Sequence, residues 1–281
     1  MSTQAAEFTP GGQNHMNSTP DRTAWLKGGG ALCLNPPTPP RGAPWRLVLL
    51  GAPGVGKGSQ ADLLCERLGA CHLSTGDVFR AARRSPTGER SPAMQAAFEC
   101  MHRGELVPDG TVVSLVAERK ACLHCAGGFV LDGFPRTVAQ AEALEIMLED
   151  QGVGLDAVFD YQLPLEEIVE RLAGRRICPV CKAIYHLTGH PPRAEGICDL
   201  CGGPLVQRDD DRLEAVYTRM EAYTATIEPL LAFYKQRRQL VVVPAHGTPQ
   251  EVYERAWARA AVLRPGLAPA ITPWPGPGGK P

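Results

Sequence analysis

Runs of apolar residues alternate with amphipathic segments through the middle of the chain. Continuous apolar runs predict buried strands at residues 47–50, 129–131, 157–161 and 240–243, with a weaker one at 71–73. Apolar residues at helical spacing predict helices at residues 60–68, 91–102, 111–122, 138–149, 165–172, 214–237 and 250–263. This alternation is typical of a three-layer α/β/α fold with a five-stranded parallel sheet. Ligands of such folds bind at the carboxyl ends of the strands.

Both ends of the chain lack this pattern. Residues 1–44 are rich in Pro and Gly and show no sustained periodicity, so they predict a disordered extension. Residues 264–281 predict a Pro/Gly-rich disordered tail for the same reason. The folded part is therefore expected at residues 45–263. A chain of 281 residues with 44% hydrophobic content can build one substantial core there.

Charge and cysteine content narrow the class of protein. The formal net charge is −1, so no general positive field favours nucleic acid or a membrane surface. No apolar run approaches the roughly 18 residues that span a bilayer. The first residues also lack the apolar core of a signal peptide. We therefore expect a cytoplasmic protein, in which the ten cysteines are reduced.

The first predicted strand ends in the glycine-rich stretch Gly51-Ala-Pro-Gly-Val-Gly-Lys-Gly-Ser59. The spacing from Gly51 to Lys57 fits the P-loop pattern, in which backbone N–H groups and a helix N-terminus bind phosphate while the lysine adds a charge. The hydroxyl residue expected directly after the lysine is Gly58, and Ser59 follows one position later. A turn that only joins a strand to a helix is the alternative. The strand before it and the helix after it favour a phosphate site.

Two further polar clusters follow predicted strands. In the first, Arg80 can bind an anionic group and Asp77 is a candidate for holding Mg²⁺ through water, although a helix cap is an equal interpretation. In the second, Asp132 stands at a strand end, where P-loop enzymes keep a magnesium-side aspartate. Arg136 and Gln140 then share one side of a helix, which suits a phosphate beside a base edge. An exposed polar helix start is the alternative there.

Arginines gather in the second half of the chain. Arg171, Arg175 and Arg176 lie at the end of one predicted helix, and Arg208 and Arg219 follow. Such residues can simply complement helix dipoles. Phosphoryl transfer, however, needs several positive groups around the migrating phosphate.

Two CxxC pairs are separated by 16 residues, a spacing that favours a tetrahedral structural zinc site. The four cysteines are Cys178, Cys181, Cys198 and Cys201. A disulfide pairing is disfavoured by the expected compartment, and an iron–sulfur cluster stays open as an alternative. A further pair, Cys122 and Cys125, has no second pair nearby, and we interpret it as coincidental.

In this order, the motifs resemble the adenylate kinase family in its long, zinc-bearing bacterial form. The resemblance covers residues 45–263, and this family has a glycine at the position of Gly58. It is carried by residues 51–60, 74–77, 131–137 and 174–176, by the four-cysteine segment and by residues 208–211. It implies a P-loop core (45–73, 104–173 and 212–263), a helical NMP-binding insertion (74–103) and a zinc-binding LID hairpin (174–211).

The resemblance implies reversible transfer of the terminal phosphoryl group of ATP to AMP, giving two ADP. It also implies Mg²⁺ with ATP, structural Zn²⁺, a monomer, and no nucleic-acid or membrane partner. The two insertions would close over the nucleotides, as adenylate kinases do, because water competes as acceptor. A kinase for UMP or CMP is the nearest alternative. A zinc-ribbon nucleic-acid-binding NTPase is disfavoured by the net charge, and an inactive nucleotide sensor by the presence of Lys57, Arg136 and Arg208.

The resemblance also implies roles for individual residues. Those implied to hold the ATP phosphates are Gly54, Val55, Gly56, Lys57, Gly58 and Ser59. Those implied to bind AMP are Thr75, Arg80, Glu105, Leu106, Val107, Gly133, Phe134, Pro135, Arg136 and Gln140. Those implied to line the ATP side are Arg171, Ile184, Tyr185 and Pro249. Those implied to neutralise the reacting phosphates are Lys57, Arg136, Arg175, Arg208 and Arg219.

Overall fold

The computed structural model describes residues 22–28, 33, 44–83, 90–102, 107–181, 183–208, 211–260 and 262–263. Its strands are β1 (Trp45–Gly51), β2 (Cys71–Ser74), β3 (Gly128–Asp132), β4 (Ala157–Gln162), β5 (Arg175–Ile177), β6 (Ile184–His186) and β7 (Leu240–Pro244). Five of them form one parallel sheet in the order β2-β3-β1-β4-β7. The predicted fold class is therefore confirmed, and every predicted strand is present.

Helices connect the strands and cover the sheet. They are α1 (Thr23–Lys27), α2 (Lys57–Leu68), α3 (Thr75–Ala82), α4 (Pro92–His102), α5 (Asp109–Ala117), α6 (Val138–Glu149), α7 (Leu165–Gly174), α8 (Leu213–Gln236) and α9 (Pro249–Ala260). The helix predicted at residues 111–122 ends earlier, at Ala117, and a 3-10 turn follows at Lys120–His124. The buried guanidinium of Arg119 explains this end, because it donates to the carbonyl oxygen of Leu115 at 2.6 Å.

The central strand shows why its sequence carries no polar face. Leu47 and Leu49 pack in a cluster that contains Leu64 of α2 and Trp257 of α9. The alternate residues, including Val48, pack in a second cluster on the other side of the sheet, with contributions from α6 and α8. Successive residues of a strand point to opposite faces, so a strand covered on both faces has to be apolar throughout.

A small antiparallel hairpin stands between α7 and α8. Strands β5 and β6 pair there, and Ile177 forms a further bridge with Val206. Tyr185 packs with Cys178 and Cys198 in a small buried cluster of its own. For two regions we use names that follow from the resemblance: residues 174–211 are the LID hairpin, and residues 74–103, which run from the last residue of β2 toward α5, are the AMP-side segment.

The predicted disordered extension at residues 1–44 is wrong for residues 22–28. These residues contain helix α1, in which the side chain of Trp25 is only 1% exposed. Burial of this indole against the core offsets the low helix propensity of so short a segment. The remainder of the predicted extension up to residue 43, apart from Cys33, and the predicted tail at residues 264–281 lie outside the described residues. Among the helices that the structure describes, none is both long enough and apolar enough to cross a bilayer.

Candidate functional site

The glycine-rich loop after β1 has a backbone that other residues would not allow. Gly51 has φ of 137°, and a Cβ there would lie 2.5 Å from the carbonyl oxygen of Tyr161. Gly54 has φ of 86°, and its Cβ would lie 2.7 Å from the side chain of Leu172. Helix α2 begins directly after the loop at Lys57. Its first N–H groups therefore point toward the loop, which gives the region the character of an anion site.

Lys57 lies across this loop. Its Nζ donates to the carbonyl oxygens of Gly51 at 2.7 Å and Ala52 at 2.9 Å. Burial lowers the pKa of Lys57 to about 8; the carboxylate of Asp132 opposes this shift, whereas the charges of nearby arginines add to it. These arginines are Arg136, Arg219 and Arg175. Of the predicted phosphate-binding cations, Arg136, Arg175 and Arg219 thus lie close enough to affect the pKa of Lys57, although they are far apart in sequence.

Asp132 faces His72, a group that the sequence did not single out. His72 Nε2 lies 3.7 Å from an oxygen of Asp132, and the other ring nitrogen lies 3.0 Å from Asp62. Although burial lowers it, these two carboxylates raise the pKa of His72 to about 9. The pKa of Asp132 is lowered, because the His72 contact and the charge of Lys57 outweigh its burial. Asp132 is therefore an anion beside the loop lysine.

A second carboxylate near the loop was also missed. Asp160 lies on β4, next to β1 in the sheet, and its side chain is fully buried. One of its oxygens accepts from Gln162 at 2.7 Å, and the other has no hydrogen-bond partner among the described residues. Burial raises the pKa of Asp160, and the charge of Lys57 opposes that shift. The sequence signal that could have identified Asp160 is a single carboxylate inside the otherwise apolar run at residues 157–161.

Helix α3 combines the two interpretations of its sequence. Ser74 caps it, since its Oγ accepts from the backbone N–H of Asp77 at 3.3 Å. Thr75 is buried, and its hydroxyl donates to the carbonyl oxygen of Asp132 at 3.4 Å. Arg80 is exposed and donates to Asp77 at 2.6 Å and 3.2 Å. The cap and the candidate anion-binding arginine therefore coexist on one helix.

The start of α6 is organised by an aspartate from α5. Gln140 Nε2 donates to Asp109 at 2.6 Å, and its Oε1 accepts from the backbone N–H of Arg136 at 2.9 Å. Thr137, the N-cap of α6, donates to the other oxygen of Asp109 at 2.7 Å. Gln140 is buried and both ends of its amide are engaged, so the implied contact with a base edge is not open in this structure. Phe134 and Pro135 are also buried and are joined by a cis peptide.

The side of the loop facing β7 is joined to the start of α9. Arg171 donates to the carbonyl oxygens of Val55 at 3.3 Å and Ala245 at 3.0 Å. Gln60 is buried and donates to the carbonyl oxygen of Pro249 at 2.8 Å. The implied ATP-side residues Arg171 and Pro249 are therefore brought together with the glycine-rich loop.

The remaining implied residues lie at the edges of the site. Arg175 donates through Nε to the fully buried side chain of Asp211 at 2.8 Å, a partner that the sequence did not identify. Arg208 and Arg219 are half-buried, as is Val107 just before α5. Glu105 and Leu106 lie outside the described residues, so their implied contacts are not described either.

The four cysteines of the LID hairpin converge. Their sulfur atoms all lie within 4.8 Å of one another, with Cys178 and Cys201 3.4 Å apart and Cys181 and Cys198 also 3.4 Å apart. Although burial raises it, the Tyr185 hydroxyl and backbone N–H groups lower the pKa of Cys198 to about 6. This donor set suits a tetrahedral thiolate site, and it fits Zn²⁺. In contrast, Cys125 Sγ lies 3.1 Å from Cys71, away from this cluster.

The ring of Tyr185 is buried inside the LID hairpin. It is only 3% exposed, stacks on His190, and its hydroxyl accepts from the backbone N–H of Asp199 at 2.8 Å. In this arrangement the ring fills the interior of the hairpin, and the implied contact of Tyr185 with the ATP base stays a prediction. Its neighbour Ile184 is 40% exposed and keeps an accessible side chain.

Comparison with known proteins shows which proteins the chain that forms this site is similar to. A family model described as adenylate kinase matches residues 49–239. The chain is 47% identical over 214 residues to the adenylate kinase of Streptomyces griseus, which covers 75% of this chain and 95% of the relative. It is 46% identical over 208 residues to that of Carboxydothermus hydrogenoformans, with 74% and 95% covered. It is 47% identical over 207 residues to that of Bacillus licheniformis, with 74% and 94% covered.

Proposed function

Because the chain belongs to the adenylate kinase family and catalyses the reversible conversion of ATP and AMP to two ADP, we propose that transfer takes place beside Lys57. The observation that carries this assignment is the position of Lys57 across the glycine-rich loop. The charges of Arg136, Arg175 and Arg219 are close enough to lower its pKa. The loop and the N-terminus of α2 bind the ATP phosphates. AMP binds on the opposite side, between Arg80 of α3 and Arg136.

The chemistry requires placement and charge neutralisation and no covalent intermediate. An oxygen of the AMP phosphate attacks the terminal phosphorus of ATP in line with the leaving ADP. Lys57 moves from the carbonyl oxygens of Gly51 and Ala52 to the phosphate oxygens, and exchanges two neutral acceptors for charged ones. Arg136, Arg175, Arg208 and Arg219 neutralise the charge that spreads over the transferring group.

Magnesium accompanies ATP in this family, and the residues beside Lys57 fit it. Asp132 is the group we assign to the metal through water, because it is an anion at the carboxyl end of β3. Asp160 offers a further carboxylate oxygen that no residue of the described ranges contacts by a hydrogen bond. Both oxygens of Asp77 are engaged by arginines, so we no longer assign a magnesium role to Asp77. Held beside these carboxylates, Mg²⁺ would supply positive charge that reduces the repulsion between the phosphate groups.

We assign Zn²⁺ to the four LID cysteines, where a closed thiolate site has a structural role. The hairpin has only a small hydrophobic cluster of its own, so a metal would make it rigid enough to move as one body. Its closure over ATP, and that of the AMP-side segment over AMP, keeps water from the transferring phosphoryl group.

The choice of acceptor is tested by turnover with four monophosphates. We expect kcat/KM for AMP to exceed that for GMP, CMP and UMP by at least about a hundredfold, because a site that hydrogen-bonds one base leaves polar groups unpaired with another. A coupled assay at fixed MgATP measures all four. Comparable values for CMP or UMP and AMP would favour the alternative of a pyrimidine monophosphate kinase and contradict an adenine-specific site.

The pH dependence of kcat/KM for ATP tests the protonation state of Lys57. The protein binds phosphate with the charged ammonium, which is present below the pKa of about 8 and is lost as the pH rises through it. We therefore expect kcat/KM for ATP to decline above about pH 8, whereas an ordinary lysine would keep it level to about pH 10. Melting curves recorded across the same range serve as the control for folding. A level profile to about pH 10 would contradict the proposed role of Lys57.

We propose further that the protein is a cytoplasmic monomer without nucleic-acid or membrane partners. The family resemblance supports the monomer, and the net charge of −1 gives no general attraction to polyanions. Light scattering after size exclusion is expected to give the mass of one chain, about 30.2 kDa. A dimer mass in the presence of substrates would contradict this assignment.

A further inference from the structure

Helix α1 is packed onto the base of the AMP-side segment, although it lies outside the family match at residues 49–239. Its Trp25 is buried in the same cluster as Leu73 of β2 and Val78 of α3. The indole Nε1 donates to the carbonyl oxygen of Ser74 at 3.0 Å. Because Ser74 is the N-cap of α3, this contact fixes α1 to the residue at which the AMP-side segment leaves the sheet.

A buried arginine holds the other end of α1. Arg119 is 3% exposed, and it donates to the carbonyl oxygens of Trp25 at 2.7 Å and Lys27 at 3.4 Å. Gly28 ends the helix with φ of 68°, and a Cβ there would lie 2.8 Å from the Arg119 guanidinium. These contacts satisfy carbonyl groups that a helix of five residues cannot satisfy internally. The segment is therefore held in one place against the core.

This placement directs Arg22 to the carboxylate that holds Arg80. Arg22 donates to one oxygen of Asp77 at 2.7 Å, and Arg80 donates to the other oxygen at 2.6 Å. Although burial raises it, the charges of Arg22 and Arg80 lower the pKa of Asp77 to about 2. The three side chains together carry one net positive charge. Without Arg22 they would carry none, and Asp77 would hold Arg80 alone.

We propose that Arg22 is a positioning residue for AMP, which neutralises Asp77 and so leaves the positive charge of Arg80 available to the AMP phosphate. The inference rests on the proposed function in one respect, namely that Arg80 contacts AMP. Arg22 itself acts through Asp77, and Trp25 keeps it in reach. A segment outside the family match thereby adjusts the affinity of a site inside it.

The test compares Arg22→Met with a matched control on the same helix. Lys27→Met removes the same charge from an exposed side chain two residues beyond Trp25. We expect Arg22→Met to raise KM for AMP by roughly threefold to tenfold, with KM for ATP and kcat changed less than about twofold. Lys27→Met should leave all three at their wild-type values, and Arg22→Lys should restore most of the affinity for AMP. Equal KM values for AMP in Arg22→Met and Lys27→Met would overturn the inference.

A second comparison identifies the route of the effect. In an Asp77→Asn background there is no carboxylate to neutralise, so adding Arg22→Met should change KM for AMP by less than about twofold. An undiminished increase in that background would overturn the route through Asp77.

Arg80→Ala separates this inference from the proposed function. If Arg80→Ala leaves KM for AMP unchanged, the AMP assignment of α3 fails. If it raises KM for AMP and Arg22→Met does not, only the inference fails. Melting curves establish that each variant is folded.

Discussion

Replacing Lys57 by methionine is expected to lower kcat by at least about a hundredfold while the protein stays folded. The ammonium of Lys57 lies across the glycine-rich loop, within 2.9 Å of two loop carbonyl oxygens. Methionine keeps the length of the stem and removes the charge, so packing around the loop changes little. The substitution removes the charged hydrogen-bond donor that is proposed to contact the phosphoryl group during transfer.

The matched control is Lys120→Met, which removes the same charge from an exposed position in the 3-10 turn. Its kcat should equal that of the wild type. Steady-state rates with MgATP and AMP, together with melting curves, separate a catalytic loss from unfolding. Turnover of Lys57→Met at the wild-type rate would show that the loop does not bind the reacting phosphates through this residue.

Replacing Cys178 by serine is expected to lower the melting temperature by roughly 5 °C or more, and to change kcat by less than about fivefold. Cys178 is buried and faces Cys201 at 3.4 Å, so the substitution removes one of four converging ligands. Structural zinc contributes its binding free energy to the fold. The proposed phosphate-binding residues Lys57, Arg136 and Arg219 lie outside the LID hairpin and keep their positions.

A strong chelator provides the control for this variant. It should lower the melting temperature of the wild type toward that of Cys178→Ser and should leave the variant unchanged. Elemental analysis is expected to find one zinc per wild-type chain at the cluster and less in the variant. Coincident melting curves for the two proteins, with and without the chelator, would contradict a structural metal at these cysteines.

Local sequence patterns predicted the parts of this protein whose causes are local. The strand, loop and helix around Gly51–Lys57 were predicted because apolar residues and glycines follow one another in a fixed order. The cysteine cluster was predicted because each CxxC turn presents two sulfurs to one point. Helix ends that depend on tertiary contacts were predicted less accurately. Helix α5 is the example, because it ends at Ala117, where the buried Arg119 side chain donates to the carbonyl oxygen of Leu115.

The hydrogen-bond partners of two predicted residues were missed, because each partner is distant from its residue in sequence. Gln140 is paired with Asp109, 31 positions earlier, and Arg175 with Asp211, 36 positions later. Nothing in the sequence shows which residue either aspartate pairs with. Helix α1 was missed because five residues between stretches rich in Pro and Gly show no helical period. Its signal was the single Trp25, whose burial becomes evident only when α3 and the core are present.

The pair between Arg175 and Asp211 joins the two points at which the chain enters and leaves the LID hairpin. Since Asp211 is buried against the core, these two points lie side by side and stay there. A rigid body that is attached at two adjacent points rotates about the line that joins them. In the proposed closure over ATP, the hairpin would therefore rotate about that line.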